Sequence, residues 1–122
     1  MKFPMIHTDS QGETHFGLQD VPDTETAFGP PPNPTGRLAD FGPATNMFVF
    51  CIPAGTDVPS HTAPHPYVSI VLSGTVEIVA SDGVARRFNP GDLLFCNDLT
   101  GNGHVTRAIT DAVAAFVNRP GA

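Results

Sequence analysis

With 122 residues and a formal net charge of −6, the chain is long enough for one packed domain and too short for two. Its six basic residues leave no cationic footprint for nucleic acid, and the adjacent Arg86-Arg87 pair is too small to make one. An apolar content of 40% without a long uncharged apolar run predicts a globular chain, neither disordered nor membrane-spanning.

The first residues, Met1 to His7, show no extended apolar stretch and no small-residue cleavage pattern, so a cytoplasmic location is the expectation. Thirteen prolines and twelve glycines then cut the chain into pieces too short for typical helices. β-branched and aromatic residues fill these pieces, as strands require. Thr14 to Val21 reads as an edge strand, and residues 28–41, with Gly29-Pro30-Pro31-Pro32-Asn33-Pro34, as an irregular, polyproline-like connection. Asn46 to Ile52 is a strand ended by Pro53-Ala54-Gly55. Tyr67 to Leu72 and Thr75 to Ala80 read as a hairpin through Ser73-Gly74. Ser81-Asp82-Gly83 turns the chain into Val84 to Phe88, and Asn89-Pro90-Gly91-Asp92 turns it into Leu93 to Cys96. Residues 104–119 lack both proline and glycine. Val105, Ile109, Val113, Phe116 and Val117 there match a helical stripe, so periodicity alone favours a helix. Cys51 and Cys96 sit within apolar runs and read as buried free thiols, packing groups rather than ligands or nucleophiles.

Chemistry concentrates in Gly55-Thr56-Asp57-Val58-Pro59-Ser60-His61-Thr62-Ala63-Pro64-His65-Pro66-Tyr67, which is closed by Gly74. Pro90-Gly91-Asp92 follows, and then His104 in Asp98-Leu99-Thr100-Gly101-Asn102-Gly103-His104. In an extended chain His61, Ala63, His65 and Tyr67 share a face, and a neighbouring strand bearing His104 would complete a pocket of imidazoles. His61, His65 and His104 could supply three donors to a divalent transition metal such as Mn, Fe, Ni, Cu or Zn. Four residues of strand span about 13 Å, so His61 and His65 reach one ion only if the backbone bends between them, where Pro64 and Pro66 stand. The alternative is a metal-free pocket in which His61 or His104 moves protons and Tyr67 donates or orients. Asp98 would orient His104 or cap the following turn. His7 and His15 read as surface residues.

This order of glycine, histidine, closing glycine, Pro-Gly-Asp turn and late histidine resembles the two-motif signature of the cupin superfamily, over about residues 45–118. The sequence departs from that signature at Ala63, where a second histidine is usual, and at Tyr67 or Val68, where a carboxylate is usual. The resemblance implies an all-β, single-domain jelly-roll β-barrel with little or no helix, and makes residues 104–119 two strands with a turn near Thr110-Asp111. Residues 1–44 would form an N-terminal strand and proline-rich arm packed on a barrel of residues 45–122. It also implies a homodimer built by pairing sheet edges or exchanging an N-terminal strand; independently, an open edge at Thr14 to Val21 needs covering. The function expected is an enzyme of lyase, isomerase or oxygenase type. It would act on a small organic molecule through His61 and His104, with Tyr67 beside them and a metal on His61, His65 and His104 if one is bound. The competing expectation is a metal-free binding or sensing module for a small-molecule ligand.

Overall fold

The computed structural model describes residues 1–121. Twelve strands and no helix are found there: β1 (Lys2–Thr8), β2 (Thr14–Asp20), β3 (Asp23–Ala27), β4 (Thr35–Ala39), β5 (Asn46–Ile52), β6 (Asp57–His61), β7 (Tyr67–Ser73), β8 (Val76–Ala80), β9 (Ala85–Phe88), β10 (Leu93–Cys96), β11 (His104–Ala108) and β12 (Ala112–Asn118). No helix among the described residues is long and apolar enough to cross a membrane.

The strands build a six-stranded sheet in the order β2-β1-β10-β7-β12-β5 and a four-stranded sheet in the order β6-β11-β8-β9. A two-stranded ribbon, β3-β4, stands apart. The fold is all-β as expected, but it is a pair of sheets rather than one closed hydrogen-bonded barrel. The last segment follows the jelly-roll pattern over its own periodicity. β11 pairs with β6 and β8, while β12 pairs with β5 and β7, so tertiary pairing overrides the helical stripe.

Three expectations change. Tyr67–Ser73 and Val76–Ala80 are strands, but they do not pair with each other; they lie in different sheets. Gly74 makes that crossing possible. It has a φ of +76°, and a Cβ there would collide with the Asp111 carbonyl. Residues 28–41 are not wholly irregular, because Thr35–Ala39 returns as β4 along β3. Cys51 is exposed, since β5 is the outermost strand of its sheet. Cys96 is buried as expected.

Two apolar layers result. Alternate residues of both sheets, among them Ile6, Val71, Ile78, Phe88 and Leu94, fill the space between the sheets. Val68 and Phe95 point the other way and are covered by Val21, Ala39 and Phe41 from the segment around the ribbon. The N-terminal β1 is a strand of the six-stranded sheet, parallel to β10 and antiparallel to β2.

Candidate functional site

A cavity of about 410 Å³ lies between the sheets. Its inward positions alternate as strands dictate, with Tyr67, Ser69 and Val71 from β7 and Val76 and Ile78 from β8. Exposed Phe50 and Val58, on the edge strands β5 and β6, stand at its rim.

His61 owes its place to an irregularity in β6. His104 pairs with His61, but Thr106 pairs with Val58, so β6 carries one extra residue there. Val58 and His61 are three apart and would face opposite ways in a regular strand. The bulge at Pro59-Ser60 restores the parity, and both residues line the cavity. Proline, which has no N–H for a ladder, is at home in a bulged edge strand. The bulge also holds the ring: His61 Nδ1 lies 2.9 Å from the Pro59 carbonyl oxygen. A carbonyl only accepts, so Nδ1 donates, and in the neutral ring Nε2 keeps its lone pair. Gly103 lets this strand end approach, for a Cβ there would overlap the His61 carbonyl.

His104 lies directly behind, its ring centroid 4.6 Å from that of His61. It is 1% exposed, and its Nδ1 donates to Asp98 Oδ2 at 2.5 Å. Asp98 is fully buried, and its Oδ1 has no hydrogen-bond partner among the described residues. Asp98 therefore orients His104 instead of capping a turn with its side chain. The N-terminal hairpin seals the pair: buried Thr14 donates to the Gly103 carbonyl at 2.8 Å and accepts from the Ser81 amide at 2.7 Å.

Tyr67 lines the cavity and pairs in register with Cys96, which also lines it. Burial raises the Tyr67 phenol well above its usual range, and the neighbouring Cys96 and Asp98 add to this. Burial likewise pushes the Cys96 thiol up to about 12. Both groups stay protonated near neutral pH: Tyr67 is a neutral hydrogen-bond donor, and Cys96 is a thiol rather than a thiolate.

Of the residues singled out in the sequence, the fold brings His61, His104 and Asp98 into one contact series and sets His61 and Tyr67 on the same cavity. His65 is half-buried in the β6–β7 connection and is not among the cavity-lining residues. Among the described residues, no three His, Cys, Asp or Glu side chains form a group able to hold a metal ion. The set His61, His65 and His104 thus does not fit the three or four convergent donors that a protein-bound transition metal takes. Ser69 and Thr106 line the cavity without having been singled out. Thr106, two residues after His104 on the same strand, is within reach of the parity argument that places Tyr67.

No family model matches the chain, and no match was found among curated proteins. Solved structures do match. A conserved protein of unknown function from Streptococcus pyogenes is 25% identical, with a TM-score of 0.50 over 62% of this chain and 65% of its own. An RmlC-like cupin protein from Desulfovibrio desulfuricans is 25% identical, with a TM-score of 0.48 over 59% of this chain and 69% of its own. The cupin domain of Schizosaccharomyces pombe Cnp3 is 14% identical, with a TM-score of 0.42 over 81% of each chain. The chain thus has an all-β fold of two mainly antiparallel sheets that enclose a cavity, with His61 on its wall and His104 packed behind.

Proposed function

We propose that this protein is a small cupin-fold enzyme that moves a proton on a small organic molecule held between the sheets, as a lyase or isomerase does. The observation that carries this reading is His61 on the cavity wall, anchored through Nδ1 with Nε2 free. Imidazole is the side chain best suited to proton transfer near neutral pH. His61 Nε2 takes a proton from a carbon next to a carbonyl, and that C–H bond's electron pair moves into an enolate. The Tyr67 hydroxyl is the neutral donor to the enolate oxygen, and the proton returns to carbon or leaves to solvent. His104, held by Asp98, packs against His61 and is a positioning residue. No step is routed through a metal, since the donors present do not converge.

The test is deuterium incorporation into 2-tetralone in heavy water, followed by NMR with wild-type protein and with His61→Gln. Exchange above buffer that falls at least about tenfold in the variant is expected for loss of a general base. Equal rates in both proteins would overturn the reading.

A second reading rests on a different observation: His104 and Asp98 are almost wholly removed from solvent, as befits a structural pair. The chain would then be a binding or sensing module without turnover. Ligand affinity surviving His61→Gln with no exchange in wild type would favour it.

We also propose a second copy of this chain as partner. The outward positions of β5, β12 and β7, including Met47, Val49, Val113 and Leu72, are apolar. Met47 and Leu72 are 62% and 51% exposed, whereas the far end of the same outer face is covered by the chain's own Phe41. A sheet apolar on both faces is normally covered on both. The outermost β5 also presents unpaired backbone groups that a twofold-related β5 satisfies in antiparallel pairing. Light scattering should give twice the chain mass, and monomer for Val49→Glu; a wild-type monomer at micromolar concentration would refute it.

A further inference from the structure

The cavity lining tells more than the presence of a histidine. Phe50, Ile52, Val71, Ile78, Phe88 and Phe116 form its walls, and among the described residues no Asp, Glu, Lys or Arg side chain lines it. The hydroxyls of Thr56, Ser69 and Thr106 are spread along the lining, while the imidazole and the phenol stand together. His61 ends β6 and Tyr67 begins β7, so the short β6–β7 connection places both at one end of the sandwich. Cys96, which pairs with Tyr67, lines the cavity at that same end, and His104 stands behind His61 outside the lining. The opposite end, where β5 gives Ile52, β7 gives Val71, β8 gives Val76 and β9 gives Phe88, is aliphatic and aromatic apart from Thr56, whose hydroxyl donates to the Pro53 carbonyl. The volume, about 410 Å³, falls within the roughly 300–1,000 Å³ of pockets that enclose small organic ligands.

We infer that the cavity selects an uncharged, mainly apolar molecule carrying one hydrogen-bonding head, such as a carbonyl or hydroxyl. The head sits at the His61–Tyr67 end, and the body lies among Ile52, Val71, Ile78 and Phe88. This inference deepens the proposed function and rests on the cavity being the working site. A carboxylate or phosphate entering the cavity would surrender its hydration without meeting a fixed cation. A sugar would bring more hydroxyls than the few side-chain partners on the walls, Ser69 and Thr106 among them, can pair, leaving others unpaired. A flat or branched hydrocarbon body instead gains by leaving water and by contact with Phe50, Phe88 and Phe116. Between the edge strands β5 and β6 the lining reaches the surface of the single chain, where Phe50 is 56% exposed. An apolar rim at a mouth that leads to an apolar interior suits a molecule already poorly soluble in water.

The test uses probes of one shape and different heads: 2-naphthol, 2-naphthoate and, as the polyhydroxylated contrast, glucose. Titrations are run at pH 8 by calorimetry and by amide chemical-shift mapping. Saturable one-to-one binding of 2-naphthol is expected, with shifts confined to the cavity strands and 2-naphthoate at least about tenfold weaker. Glucose should not bind. Ala114→Phe, which fills the cavity from β12, should weaken 2-naphthol at least about tenfold. Ile52→Trp, at the half-buried rim, repeats that check with less demand on the core. Binding of 2-naphthoate as tight as 2-naphthol, binding of glucose, or 2-naphthol affinity unchanged in both variants would each overturn the inference. If the binding results hold while 2-tetralone exchange matches that of His61→Gln, the ligand class stands and the enzyme reading falls. If exchange depends on His61 while 2-naphthoate binds as tightly as 2-naphthol, the enzyme reading stands and the ligand class falls.

Discussion

Among the described residues two histidines pair with carboxylates, and burial separates the two cases. His104 and Asp98 face each other at 2.5 Å with side chains 1% and 0% exposed. His15 lies between two carboxylates, Asp82 at 2.9 Å and Asp9 at 2.8 Å, on the surface. The buried pair is one strand away from the cavity and fixes a ring behind His61. The partly exposed trio ties β2 and the turn before it to the β8–β9 turn, outside the cavity. The same chemical groups therefore do different work: in the interior an unpaired partner is costly, and in water it is solvated. Charge pairing by itself does not mark a functional site; pairing in a water-poor position beside a cavity does.

The sharpest way to break the comparison is to remove one member of each pair. His104→Ala strands a buried carboxylate and leaves a void, so unfolding free energy should fall by about 3–5 kcal/mol in urea titration. Asp98→Asn, which still offers an oxygen to Nδ1–H, should lose less. A loss for His104→Ala no greater than for His15→Ala would mean that burial does not distinguish the two pairs.

A smaller effect is expected at Gly103, whose φ of +70° and contact with the His61 backbone leave no room for a side chain. Gly103→Ala should cost about 1–3 kcal/mol from strain in the left-handed region. It should also lower His61-dependent exchange by shifting that strand end. Unchanged stability and exchange together would show that Gly103 does not position His61.

The smallest and most conditional effect belongs to His15. Its hydrogen bonds to Asp9 and then Asp82 raise it above the usual histidine value of 6.5. Asp9 is lowered below the usual 3.8, chiefly by the hydrogen bond from His15, and Asp82 chiefly by the Val84 amide. Linkage fixes the sign. A raised histidine gives stability that is fully present below 6.5 and lost as pH rises through its folded value. The lowered carboxylates give stability that is present above 3.8 and lost as pH falls through theirs. The melting-temperature difference between wild type and His15→Gln should therefore be largest near pH 5, vanish on the alkaline side, and shrink in salt. A difference that grows with pH would refute the clamp.

How much of the molecule is legible in its sequence depends on which interactions specify each feature. The strands at Asn46–Ile52, Leu93–Cys96 and around Thr14 follow from β-rich runs bounded by turn residues, which are local signals. The 104–119 segment is different. Its own periodicity is helical, and only the pattern of the two motifs points to the strands that form there. β6 is hard to see as a strand because Asp57-Val58-Pro59-Ser60-His61 is polar and contains proline, features tolerated at a bulged edge. Ser73-Gly74 looks like a tight hairpin turn, and no local signal says that the next strand joins another sheet.

The all-β class and the candidacy of His61, Tyr67 and His104 can be read from the chain alone, because composition, turn chemistry and motif spacing are local properties. Three-dimensional contacts were needed to part β7 from β8, to turn His61 inward through the bulge at Pro59-Ser60, and to leave His65 outside the cavity. Register and sheet membership are set by contacts between residues far apart in the chain. The burial of Asp98 against His104 belongs to the same class, since Thr14 and Gly103, far apart in the sequence, close over it.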